Sequence, residues 1–242
     1  MSNSPLVSYT KISPNRNSPR KQPIRKITLH HMAGNLSLEA FGALVAKPSR
    51  QMSANYAIDT DGNIGLFCPE ADRSWCSSSP ENDHQAITVE IANDGGAPDW
   101  HVSDAALEAA IRLCVDVCQR NGLPGLTWTG DSSGTLTCHY MFAATACPGP
   151  YLKGKMAWIA EEVNRRLAEV KPEDKPSSAP ALQKLCVVNA TNEIIAKAKD
   201  LGLPVELRTA ALIGPASSGD AMTIWGMSQA AGAPYFASFT EG

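Results

Sequence analysis

The stretch KPEDKPSSAP, residues 171–180, constrains the fold more than any other part of the chain. It holds three prolines, charges of both signs and no apolar side chain larger than alanine, so neither a helix nor a core strand can run through it. The 242 residues therefore divide at about residue 175. The expected organisation is a larger unit over residues 1–170, a linker over 171–180 and a small second domain over 181–242. The first unit is long enough to bury its own core, whereas the second lies near the lower limit for one.

Within the first unit the apolar pattern alternates between two periods. IRKITLHHM reads as a buried strand, and SLEAFGALVAK as a short helix capped by Ser37 with Leu38, Phe41, Leu44 and Val45 on one face. NYAIDTDGNIGLF predicts a hairpin turning at Asp61-Gly62. In AITVEIAN the residues Ile87, Val89 and Ile91 share one face, which points Glu90 to the other. The run SDAALEAAIRLCVDVCQRNG predicts a helix with Ser103 as its N-cap, Leu107, Ile111, Cys114 and Cys118 as its stripe, and Gly122 as its stop. A last helix follows residue 148, with Met156, Ile159, Val163 and Leu167 at helical spacing. This order predicts an α/β fold, a mixed central β-sheet flanked by helices on both faces. The tail predicts a small α+β domain, with strands at LQKLCVVN, VELRTAALIG and AMTIWG and a helix at NEIIAKAKDLG.

Composition narrows the partners. With 43% hydrophobic residues and a net charge of −3 the chain has no global basic field for nucleic acid. Lys11, Arg16, Arg20, Lys21, Arg25 and Lys26 make the N-terminal arm locally positive, and it reads as a solvated lead-in. No run of ~18 apolar residues suggests a membrane partner. The start MSNSPLVSYT lacks the basic and apolar regions of a signal peptide, so synthesis in the cytoplasm is expected. In that compartment seven cysteines are an odd and reduced set, which turns attention from disulfides to packing, metal or catalysis. Cys114, Cys118 and Cys186 fall in apolar runs and fit packing.

Polar residues in apolar surroundings carry the chemistry. His30 and His31 end one strand, Glu90 sits within another, and His139 and Cys147 flank a Gly- and Ala-rich loop. Imidazole and thiolate bind zinc well, and His30, His139 and Cys147 would form a three-ligand set that leaves a fourth position to water. Taken singly, each has a stronger plain reading, a hydrogen-bonded structural histidine or a salt-bridged strand carboxylate, and spacing alone does not make a zinc motif.

Four blocks in order, ITLHHMAG, SANYAIDTDGNIG, AITVEIAND and LTCHYMFAATACPGPYL, resemble the type 2 N-acetylmuramoyl-L-alanine amidases, the family that includes phage lysozyme-like amidases and peptidoglycan recognition proteins. The resemblance covers residues 24 to about 168. It implies the peptidoglycan recognition protein fold, a Zn2+ cofactor held by His30, His139 and Cys147, and peptidoglycan as substrate. It implies Glu90 as proton shuttle, and Tyr56 and Thr145 as groups beside the metal that donate to an oxyanion. DRSWCSSSPENDHQ then lies at the level of the substrate groove, which offers Trp75, Asn82 and Asp83 as lining residues and leaves Cys76 and His84 without a metal role. An amidase followed by a linker and a small domain looks like a phage or prophage endolysin. In such a protein the tail binds the wall or forms a homo-oligomer, and the enzyme reaches the wall after holin-dependent release. The alternatives are a non-catalytic peptidoglycan-binding module and an intracellular muropeptide-recycling amidase.

Overall fold

A computed structural model describes residues 2–169, 184–188, 192–200, 205–207, 210–213 and 236–239. The chain separates into two compact units, Met1–Glu169 and Val170–Gly242.

The first unit is built on a six-stranded sheet. Its strands are β1 (Val7–Thr10), β3 (Lys26–His31), β4 (Tyr56–Ile58), β5 (Ile64–Leu66), β7 (Ala86–Ile91) and β8 (Leu136–Cys138), in the spatial order β1-β5-β4-β7-β3-β8. Only the β4–β5 hairpin is antiparallel, and every other neighbouring pair is parallel. The hairpin turns where expected: Gly62 has φ +82°, and a Cβ there would lie 2.7 Å from the carbonyl oxygen of Ala105. A separate two-stranded ribbon pairs β2 (Arg16–Asn17) with β6 (Arg73–Ser74).

The two faces of the sheet differ in chemistry. Ile27 and Leu29 of β3, Ile87, Val89 and Ile91 of β7, and Tyr56 and Ile58 of β4 join one core with two long helices. These are α3 (Asp104–Asn121) and α4 (Gly149–Glu169). Ser103 caps α3 by accepting from the Ala106 N–H at 3.1 Å, and Gly122 stops it in the left-handed conformation. The α4 stripe Met156, Ile159 and Val163 is fully buried, each such side chain contributing roughly 1.5–3 kcal/mol by leaving water.

On the opposite face α1 (Leu38–Val45), capped by Ser37, packs Leu38, Phe41 and Val45 against Ala54, Ala57, Phe67 and Cys76. The remainder of that face is polar. Thr28 stands in register with Thr88 and Thr137, and the Thr28 and Thr137 hydroxyls are 2.9 Å apart. A short helix α2 (Pro80–Gln85) sends the Asn82 amide to donate to Thr28 Oγ1 at 3.0 Å.

The N-terminal arm is not a solvated lead-in. β1 closes the β5 edge of the sheet, and Ser4, Ser13, Asn15 and Arg20 are buried. The Arg20 guanidinium donates to the carbonyls of Glu70, Asp72, His84 and Ala86, so its charge is spent on backbone acceptors rather than on solvent.

In the second unit β9 (Lys184–Val188), β10 (Val205–Leu207), β11 (Ala210–Ile213) and β12 (Phe236–Phe239) form an antiparallel sheet in the order β10-β11-β9-β12, with one helix among the described residues, α5 (Asn192–Asp200). The linker 171–180 and the strand expected at AMTIWG lie outside the described residues.

Candidate metal centre and active site

The sheet register assembles the site. His30 on β3 pairs with Glu90 on β7, and Leu29 pairs with Cys138 on β8, so that His139, the next residue, emerges beside His30. The two imidazole rings are 4.8 Å apart by centroid. Because His30 and Glu90 alternate with Leu29 and Val89, both side chains project on the polar face, beyond the threonine layer of Thr28, Thr88 and Thr137.

After one 3-10 turn at His139–Met141 the chain loops back, and the Tyr140 N–H donates to the Cys147 carbonyl at 3.1 Å. Gly149 permits this return. It has φ +81°, and an added Cβ would meet His31 Cε1 and Trp100 Cβ at 3.1 Å each.

His30, His139 and Cys147 thus each offer one donor atom, and these atoms lie within 4.8 Å of one another. Both ring nitrogens of His30 and Nε2 of His139 are buried without a hydrogen-bond partner. Orphaned nitrogens of this kind are costly unless something binds them. Burial holds His30 well below its usual pKa, and neighbouring His139 and His31 push the same way; burial also lowers His139. Both imidazoles are therefore neutral, the form that ligates a metal. Burial, with Glu90 adding, pushes the Cys147 thiol up, a cost that a bound cation offsets because it holds the thiolate. The donor set fits a zinc ion.

Glu90 is 6% exposed, and its Oε1 lies 4.0 Å from His30 Nδ1. Burial raises its pKa to about 8, partly opposed by the Cys76 thiol and by Arg50. A carboxyl poised near neutrality suits a group that must both take and return a proton. Thr145 borders the same cavity, a pocket of about 370 Å³, and its Oγ1 accepts from the Cys147 N–H at 3.2 Å, which leaves its own proton free to be donated elsewhere.

Tyr56 is not part of this arrangement. It sits opposite Val89 in the register and points into the apolar core, where its hydroxyl donates to Glu70 Oε1 at 2.6 Å and accepts from the Ser4 N–H at 2.8 Å. The placement beside the metal is therefore corrected: a residue beginning this strand faces the helices, not the cavity. Asn82 and Asp83 are corrected in part. Asn82 is buried beneath the site and holds Thr28 and Ser77, while Asp83 reaches the wall of a second cavity of about 550 Å³ but spends its oxygens on Cys76 and Ser77. Trp75 does line that cavity, with its indole N–H donating to Asn17 at 2.7 Å.

Three further lining residues were not singled out as such in the sequence. Trp100 borders the first cavity with its ring edge-on to His31 at 5.4 Å, in a left-handed backbone conformation of φ +54°. Arg73, whose Nε is buried without a partner, and Cys76 border the second.

The fold is shared with solved structures of low identity. These include the Staphylococcus aureus hydrolase AmiA in complex with its ligand (TM-score 0.53, 16% identity, covering 67% of this chain and 83% of that one). The PlyG catalytic domain is similar at TM-score 0.52 and 16% identity, covering 66% of this chain and 94% of that one. The XlyA catalytic domain gives 0.50 and 15%, covering 64% and 97%. No curated protein sequence matches. A family model described as N-acetylmuramoyl-L-alanine amidase matches residues 20–150, which is more than half of the sequence and contains every residue of the donor set, and the chain belongs to that family.

Proposed function

We propose that the chain hydrolyses the amide between N-acetylmuramic acid and L-alanine in peptidoglycan, with zinc held by His30, His139 and Cys147, and that it acts as an endolysin. The carrying observation is the convergence of those three donors within 4.8 Å, with buried imidazole nitrogens that have no other partner. Zinc, when bound, would supply positive charge that eases ionisation of a water and draws electrons from the scissile carbonyl.

The remaining work falls to side chains. Glu90, buried at the wall of both cavities, takes a proton from the attacking water and returns it to the alanine nitrogen as the amide breaks. Thr145 donates to the oxyanion that develops on the former carbonyl oxygen. Trp75 and Trp100 offer flat apolar surfaces, one in each cavity, against which a sugar or lactyl group can lie.

Residues 1–170 act as the amidase and 171–180 as a tether, and the domain at 181–242 binds the wall or pairs two chains. No described helix is long and apolar enough to cross a membrane. Holin-dependent release to the wall belongs to the same endolysin reading. Incubation of the purified chain with bacterial walls tests the reading: new alanine amino groups should appear, vanish with a chelator and return with zinc. Release of reducing sugar ends without amino groups would assign a different bond.

A further inference from the structure

Glu90 has a neighbour that the proposed zinc set does not use. Sγ of Cys76 lies 3.8 Å from Glu90 Oε1. Cys76, Glu90 and His30 each present one donor atom within 4.8 Å of the others, a second group that shares His30 with the first. All three are buried, at 6%, 6% and 0% exposure, and Glu90 Oε2 has no partner in the protein. The backbone that carries the thiol is held at the approach to α2, where the Cys76 N–H donates to Asp83 Oδ2 at 3.0 Å. Cys76 and Glu90 both border the cavity of about 550 Å³, so an ion entering that cavity meets them together.

A thiolate beside a carboxylate selects thiophilic divalent ions over magnesium or calcium. We propose that Cys76 and Glu90 form a second cation site that takes zinc or cadmium in excess, and that its occupation inhibits the enzyme by removing the Glu90 carboxylate from proton transfer. This rests on the zinc reading of the first set. A neutral imidazole offers one lone pair, so His30 serves only one ion at a time. With His30 committed to the first ion, the second has two protein donors and water, and binds more weakly. On binding, sulfur–metal and oxygen–metal bonds form as the Cys76 thiol proton and any proton held by Glu90 pass to buffer; nothing is oxidised or reduced.

Cadmium titration of the metal-free full-length chain tests this, read by thiolate-to-cadmium absorption and by cadmium retained after free ion is removed. Wild type should bind in a tight step and a weaker one, and Cys76→Ala and Cys76→Ser should each keep the tight step and bind about one ion fewer. Excess zinc should inhibit wild type but leave Cys76→Ala at its own zinc-replete rate. Cys147→Ala should lose the tight step; if it does not, the first-site reading fails on its own, whatever the weaker step does. A wild type that saturates in the tight step alone, or Cys76 variants that bind as many ions as wild type, would overturn the second site. Should both variants misfold, alkylation of wild type mapped by mass spectrometry decides: Cys76 labelling should slow only with the weaker step, and an unchanged rate overturns the proposal.

Discussion

His30 and Glu90 face each other across adjacent parallel strands, Nδ1 4.0 Å from Oε1, with neither side chain more than slightly exposed. The carboxylate is close enough to share the imidazole's surroundings yet too far to form a short hydrogen bond with it. Glu90→Gln should therefore keep zinc and fold while lowering turnover by roughly two to four orders of magnitude. Zinc content measured on the same sample separates lost proton transfer from lost metal, and near-normal turnover would make Glu90 structural.

His139→Ala and Cys147→Ala should each lose zinc, since a third donor cannot be replaced by packing. The metal-free wild type should unfold at a lower temperature than the zinc-loaded protein, as any ligand that binds only the folded state stabilises it. Full zinc in either variant would remove that residue from the set.

The raised pKa of Glu90 predicts a pH dependence in the metal-free protein. Its folded value is about 8 against an ordinary 4.5, so between these the folded state holds a proton that the unfolded state has released. The stabilisation is complete below about pH 4.5 and is lost as pH rises through about 8, at up to about 1.4 kcal/mol per pH unit. Glu90→Gln removes this dependence. Urea unfolding of both proteins in chelator across that window should show wild type losing ground to the variant, and parallel curves would refute the shift.

Tyr56→Phe should cost roughly 1–3 kcal/mol, because it leaves the Ser4 N–H without its acceptor and Glu70 Oε1 without one of its donors in a buried network. Turnover per zinc-loaded enzyme should stay within a few-fold of wild type. A large loss of turnover without loss of stability would return Tyr56 to the site.

A chain ending near Lys171 should fold, bind zinc and cleave small muramyl peptides at close to the full-length rate. On intact walls it should be weaker, since a tether raises effective concentration at a polymeric substrate by up to orders of magnitude. Equal lysis by both lengths, with a tail that neither binds walls nor self-associates, would leave residues 181–242 without this role.

The sheet and its helices were legible because burial imposes a period: Ile87, Val89 and Ile91 could share a face only if Glu90 took the other, and Ser103 and Gly122 mark both ends of α3. The N-terminal arm was misread because Arg20 looks like any surface charge until its four backbone acceptors are known. Tyr56 was misplaced for a related reason. Pairing register decides which face a strand residue meets, and a tyrosine suits both an apolar core and a polar cavity. Trp100 carried no signal, because its loop is brought to the site by distant contacts rather than by local pattern, whereas Cys76 lies in a stretch expected at the groove and reads there as a residue without a metal role.

The register that joins β3, β7 and β8 also sets an order of events in folding. His30 enters from the third strand of the chain, Glu90 from the middle of the unit and Cys147 from its last loop, so no local fragment contains the metal pocket. Closing such long loops precedes any reward from the contacts they make. Zinc should therefore leave the folding rate nearly unchanged and slow unfolding instead, which makes zinc a guard on the lifetime of the finished fold rather than a guide to its formation.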